Sequence, residues 1–265
     1  MKKKQNWIIA ACILILLAIV LVILFWYTNF HRKTDAIVES FAPKETSQST
    51  GNSVYDETKD EISDTETVSD YQSPVDFESL WKVNTDIKGW LEIPETDITY
   101  PVLRHDTDNT FYLNHDSEGE YSAYGSIFME NYNAEDFSDR ATVLYGHYSA
   151  AGDYFGSLES TYSDARKFEQ YQYIKIYLPD KTLTYKIFAA LPHSNEHLLY
   201  YHDFSDDAAY DDFIKDITQT KTLGAVIDET AIPQDRENLL ILSTCKKSDR
   251  TQRFLVIGAL ESVSR

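Results

Sequence analysis

The sequence predicts a mainly β domain with attached helices (α+β), built as an antiparallel or mixed barrel with helices at its edge. Three observations predict it. Short segments rich in β-formers outnumber segments with helical spacing. They follow one another without regular β-α alternation, which argues against a doubly wound parallel sheet. Near the C-terminus, the apolar runs Leu239–Cys245 and Arg253–Leu260 flank seven polar residues, Lys246–Gln252, the pattern of two buried strands joined by a hairpin loop.

Taken in order, residues 1–6 carry Lys2, Lys3 and Lys4. Residues 7–27, from Trp7 to Tyr27, are uncharged and almost entirely apolar, with Trp7, Trp26 and Tyr27 at the ends. About 20 such residues span a bilayer, and aromatic ends suit the headgroup boundary, so an uncleaved transmembrane signal anchor is expected here. A cleaved signal peptide would need a shorter apolar core and a small-x-small site, whereas this run ends in Phe25-Trp26-Tyr27. His31-Arg32-Lys33 adds positive charge on the far side, but the three lysines and the terminal amine favour a cytoplasmic N-terminus at the cell membrane. Residues 28–70 are dominated by Ser, Thr, Asp and Glu and read as an extracellular, solvated, self-repelling linker.

Order is expected over residues 71–265. Ser73 reads as an N-cap with Pro74 at the first helical position, followed by Phe77, Leu80, Trp81 and Asn84 at helical spacing and Gly89 as the stop. Trp90–Ile93 and Ile98–Val102 read as short strands across a Pro-Glu-Thr-Asp turn, and Tyr124–Glu130 and Arg140–His147 as further strands. Gly152–Ser160 reads as a short helix or turn. Tyr173–Leu178 and Thr182–Leu191 form a hairpin across Pro179-Asp-Lys181. Asp206–Ile217 places Tyr210, Phe213, Ile214 and Ile217 on one helical face, capped by Ser205 and Asp206.

The formal net charge of -19 excludes a nucleic-acid binder, because nothing would neutralise phosphates. The two cysteines are Cys12, inside the apolar N-terminal run, and Cys245, so a disulfide between them is not expected and Cys245 reads as a free thiol. No tight Cys/His cluster offers metal-ligand spacing, so neither metal nor cofactor is expected. If the C-terminal runs pair antiparallel across their loop, Cys245 lies opposite Arg253, with Cβ atoms about 4.5–5.5 Å apart. A thiol beside a permanent cation is biased toward thiolate, the form that attacks carbonyls. Arg250 is a rival cation, but it falls inside the loop. Of the seven histidines, His147 ends an apolar strand, Thr142-Val-Leu-Tyr-Gly-His147, and Gly146 before it permits close backbone approach. His31 is juxtamembrane, and His105, His115, His193, His197 and His202 read as exposed loop residues.

Thr142–His147, Leu242-Ser-Thr-Cys245 and Arg253-Phe-Leu-Val-Ile257 resemble the His, Cys and Arg motifs of sortases, in the family's order. The resemblance extends over roughly residues 75–260. Class B is indicated by Asp86-Ile-Lys-Gly-Trp90-Leu-Glu-Ile-Pro94, Tyr100-Pro-Val102, Gly125-Ser-Ile-Phe128, Asp153-Tyr-Phe155-Gly-Ser-Leu158 and a helix from Ser205 to Thr220 between the sixth and seventh strands. Tyr148-Ser149 departs from the Asn-Met that class B members often carry after the histidine. The resemblance implies a closed mixed barrel of about eight strands with an N-terminal helix. It implies a membrane-anchored cysteine transpeptidase that cleaves a C-terminal sorting signal after Thr and joins the carbonyl to an amine of the cell-wall peptide or of a pilin subunit. Its partners would be sorting-signal-bearing surface proteins, peptidoglycan and the membrane. Cys245 would be the nucleophile, His147 the general acid and base, and Arg253 the oxyanion or substrate donor, with Ser243 and Thr244 lining the substrate groove. Strand alternation puts Ser243 on the Cys245 face and Thr244 on the other. Two rival readings are a hydrolytic cysteine protease, which would need an Asn or Asp orienting the histidine, and a tethered binding module without chemistry.

Overall fold

Eight strands close a ring in the computed structural model, which describes residues 12–25, 40–43, 71–246, 249 and 251–265. The strands are β1 (Ile87–Glu92), β2 (Thr99–Leu103), β3 (Ile127–Phe128), β4 (Ala141–Tyr145), β5 (Tyr173–Tyr177), β6 (Thr182–His193), β7 (Val226–Ile227), β8 (Leu239–Cys245) and β9 (Arg253–Ser264). Their order is β5-β1-β2-β3-β4-β8-β9-β6, closed by a β5–β6 pairing, with two-residue β7 appended to β6. Two pairings are parallel, β2 with β3 and β4 with β8, and the rest are antiparallel, so the barrel is mixed, as the family resemblance implies.

The two faces of this wall carry separate cores. One cluster contains Leu240, Leu242, Phe254 and Val256 together with Leu91, Val102, Leu144 and Tyr185, and fills the interior. A second contains Leu239, Ile241, Leu255 and Ile257 together with Tyr210, Phe213 and Ile217 of α5 (Asp207–Thr218). Helix α5 lies in the β6–β7 connection and is capped by Asp206, whose carboxylate accepts from the Ala209 N–H at 2.9 Å. The uninterrupted apolar run of β8 therefore has a cause: neighbouring residues point to opposite faces, and both faces are buried. Leu239 to Leu242 are 0% exposed, each burial being worth about 1.5–3 kcal/mol, so the strand that leads to Cys245 is a firm support.

Several local expectations are corrected. The first helix of the domain, α1 (Phe77–Val83), starts at Asp76 rather than Ser73, because the Asp76 carboxylate accepts from Ser79 N–H while Ser73 Oγ is engaged by Val75 N–H. It ends at Asn84, not Gly89, and Gly89 sits inside β1. Only Ile127 and Phe128 of the Tyr124–Glu130 segment are strand, since Gly125 adopts φ 57° and breaks the extension. Helices α2 (Leu158–Tyr162), α3 (Ala165–Gln170) and α4 (Leu198–Tyr201) follow, the first two supplying Leu158, Tyr162 and Phe168 to the interior cluster.

Residues 12–25 are helical, with apolar side chains such as Leu14 exposed. No helix among the described residues is long and apolar enough to cross a membrane. Both ends of the Trp7–Tyr27 anchor expectation, and most of the residue 28–70 linker, lie outside the described residues.

Candidate active site

The β8–β9 hairpin has the expected register: Leu239 pairs with Ala259, Leu242 with Val256, and Cys245 with Arg253. Arg253 Nη1 donates to Cys245 Sγ at 3.2 Å. Both residues are half-buried, and Cys245 is a free thiol. The pair forms where the outer-face core gives out. Leu255 belongs to that core and is followed, two residues nearer the loop on the same face, by Arg253.

His147 reaches the same place from the other side of β8. Strand β4 runs parallel to β8 in the register Ala141 with Leu239 through Tyr145 with Ser243, and Gly146 N–H continues it by donating to Ser243 O at 3.2 Å. His147 lies just past the end of β4, two residues beyond Tyr145, as Cys245 lies two residues beyond Ser243 in β8. Glycine is needed just before it. A Cβ on Gly146 would stand 2.5 Å from Ile127 Cδ1 and 2.6 Å from Phe155 Cδ2, so a side chain there would force the interior packing or the chain end to shift. The ends of β4 and β8 and the start of β9 thus bring the segments carrying an imidazole, a thiol and a guanidinium to one end of the sheet, a set called the row below.

The groups around the row were not legible locally. The His147 Nε2 contacts the backbone carbonyl of Leu113 at 2.7 Å, from the short 3₁₀ turn Phe111–Leu113 in the β2–β3 connection. On the outer face, Tyr145 donates its phenol to Glu130 Oε2 at 3.3 Å. Burial, then the Glu130 carboxylate, push that phenol far up, while Arg253 pulls the other way, so Tyr145 stays a protonated donor. Glu130 Oε2 also lies 2.7 Å from His197 Nε2, at an angle too poor for a hydrogen bond. His197 is the N-cap position of α4 and packs against Tyr200, ring centroids 4.1 Å apart. It is therefore partly buried against the barrel, contrary to its reading as an exposed loop histidine. Through this contact, and the Tyr132–Tyr200 hydroxyl pair, α4 is fastened beside the row. The β6–β7 connection also leaves the sheet there, because His193 at the end of β6 pairs with Arg253.

Ser243 and Thr244 are 4% and 2% exposed. Ser243 shares the face of Cys245, whereas Thr244 pairs with Phe254 of the interior cluster, and its hydroxyl lacks a partner among the described residues. Arg250 lies outside the described residues. Among the described residues no group of three His, Cys, Asp or Glu side chains is placed to hold a metal ion. Chemically, the row offers a soft nucleophile, a proton carrier and a fixed cation, the requirements for acyl transfer.

Comparison with known proteins supplies the family. The sortase domain family model matches residues 91–261. Sortase B of Staphylococcus aureus is 30% identical over 190 residues, covering 71% of this chain and 75% of that protein. Sortase B of Listeria monocytogenes is 26% identical over 245 residues, covering 88% and 87%. The solved structure of the Staphylococcus aureus sortase B–substrate complex superposes with a TM-score of 0.62 at 30% identity, covering 70% of this chain and 84% of that one.

Proposed function

We propose the reaction that follows from the family: this chain belongs to the sortases, in their class B branch, and is a cysteine transpeptidase, here acting through Cys245, His147 and Arg253. Cys245 attacks the carbonyl of a threonine in the C-terminal sorting signal of an exported protein. The thioester that forms divides one difficult amide exchange into two easier steps. His147 gives a proton to the departing amine and later takes one from the incoming amine, which belongs to the cell-wall peptide or to a pilin subunit. Arg253 donates to the developing oxyanion or to the substrate backbone beside it. Ser243, on the face of Cys245, borders the acyl site, whereas Thr244, expected from the sequence to line the groove too, turns to the interior and holds the strand end. Residues 7–27 anchor the chain in the cell membrane, with residues 1–6 in the cytoplasm and 28–70 as the tether that carries residues 71–265 outside.

The observation that carries this reading is the 3.2 Å Arg253–Cys245 contact, with His147 on the adjoining strand end. A relative, the Staphylococcus aureus sortase B, has been solved in complex with its substrate, which supports substrate binding by this chain as well. The test is incubation of the full chain with a peptide led by Asn-Pro or Ser-Pro and ending in Thr-Gly or Thr-Asn, with and without an amine acceptor. Amide product that requires the amine is expected by mass spectrometry. Cleavage to the free acid alone, whether or not amine is present, would make the chain a hydrolase; the absence of any thioester would make it a binding module.

The role of Arg253 has its own test. Its guanidinium presents a planar fork of donors that a lysine ammonium does not reproduce. Arg253→Ala is expected to remove about 2.7–4 kcal/mol of transition-state stabilisation, roughly 10²–10³-fold in kcat/KM. Arg253→Lys should recover only part of that loss and Arg250→Ala none of it should incur. Near wild-type kcat/KM in Arg253→Ala would exclude the donor role.

A further inference from the structure

We propose that the Leu113 carbonyl, kept in place by Gly125, is the positioning group of His147, fixing its ring so that Nδ1 is the atom that moves the proton. The proposal deepens the transpeptidase reading and rests on it. A backbone carbonyl can only accept, so the 2.7 Å contact with His147 Nε2 requires a proton on Nε2. The neutral ring is then the Nε2–H tautomer, with its free lone pair on Nδ1. In the imidazolium both nitrogens carry protons, but the Nε2 proton stays committed to Leu113.

The carbonyl is well supported for this task. Leu113 N–H donates to Thr110 O at 3.1 Å and Asn114 N–H to Phe111 O at 3.3 Å, which closes the short turn. Tyr112, 2% exposed, anchors it through its hydroxyl, which donates to Asp86 Oδ2 at 2.8 Å and accepts from Asn84 Nδ2 at 2.9 Å. Ser126 N–H returns to Tyr112 O at 3.0 Å. Gly125 packs directly against the same carbonyls. At its φ of 57°, a Cβ would stand 2.4 Å from Tyr112 O and 2.7 Å from Leu113 O. Any side chain at position 125 must therefore shift the backbone here, in contact with the oxygen that His147 uses. The orienting task that a carboxylate or amide side chain performs in other cysteine and serine enzymes falls here to main chain.

The proton ledger of the reaction closes on Nδ1. In the first half, Sγ of the thiolate bonds to the threonine carbonyl carbon, the C–N bond breaks with its electron pair on nitrogen, and that nitrogen takes the Nδ1 proton. Thioester, free amine and the neutral Nε2–H ring remain. In the second half, the acceptor amine bonds to the thioester carbon and gives a proton to Nδ1. The C–S bond then breaks with its pair on sulfur, restoring thiolate and imidazolium.

The test is a two-bond nitrogen–proton correlation spectrum of the ¹⁵N-labelled full chain, with His147 identified by the loss of its signals in His147→Ala. At a pH where the ring is neutral, the Nε2–H pattern is expected. Gly125→Ala should mix the tautomers and lower kcat by about 10²-fold, the cost of misplacing a reacting group by about 1 Å, with a much smaller change in KM. The wild-type spectrum decides the matter even if that variant does not fold. An Nδ1–H pattern in a chain that makes amide product overturns this inference and leaves the transpeptidase reading intact. An Nε2–H pattern in a chain that makes no amide product instead removes the reading, and the proton-transfer role with it.

Discussion

Cys245→Ala will leave the domain folded and its amide product undetectable. The sulfur sits half-buried at the end of β8, past the residues that both cores hold. Removing it takes away one heavy atom and the hydrogen bond from Arg253. Such a change away from the packed interior typically alters stability by only about 0.5 kcal/mol. Chemistry has no substitute for it nearby. Ser243 is 4% exposed and Thr244 pairs with the interior residue Phe254, so neither hydroxyl can take over the attack on a bound peptide. Loss of a nucleophile that works as a unit with its base costs on the order of 10⁶-fold. Thermal unfolding and mass spectrometry of the same preparation check both halves of the prediction. A folded Cys245→Ala chain that still makes amide product at a measurable rate would refute the thioester route.

How much of this was readable beforehand varies from residue to residue. The Cys245–Arg253 register follows from local information, because two apolar runs and one polar loop leave little freedom in how the hairpin closes. His147 is marked only by its place after Gly146 at the end of an apolar strand. Its arrival beside Cys245 depends on parallel pairing between β4 and β8, which lie far apart in sequence and carry no mutual signal. The helix start at Asp76 was missed because Ser73-Pro74 satisfies the same local rule, and only the competing hydrogen bonds decide between them. The Leu113 carbonyl is harder still, since every residue has one. Its trace in the sequence is Gly125, a position whose need for glycine becomes clear only when the neighbouring oxygens are located. The Glu130–His197 contact joins two loops and leaves no pattern at all.

The two-faced wall explains why the row can be both well placed and reactive. Alternation along β8 sends Leu240 and Leu242 inward and Leu239 and Ile241 outward, so the backbone is gripped from both sides up to its last residues. Beyond Ser243 the outer core ends, and the same alternation delivers Cys245 to a half-open surface. Packing fixes the backbone, and the thiol at its end is left half-buried rather than enclosed.

His147→Ala will lower turnover by about 10²–10⁴-fold, the usual worth of a positioned proton carrier, and will do so in both halves of the reaction. Without the ring, an amine must leave unprotonated, so the first adduct returns to the starting peptide faster than it goes forward. The two halves can be separated with an activated ester of the same acyl chain, whose leaving group departs without a proton. That ester should acylate Cys245 in His147→Ala, and the acyl-enzyme should then persist, because the incoming amine has lost its base. Folding should change little, since the side chain is half-buried and its hydrogen bond to Leu113 is worth about 0.5–1.5 kcal/mol. Intact-mass measurement of the trapped acyl-enzyme, followed over time with and without amine, reads the outcome. Rapid discharge to amide in His147→Ala would show that another group takes the proton, and the row would then lose its middle step rather than its nucleophile.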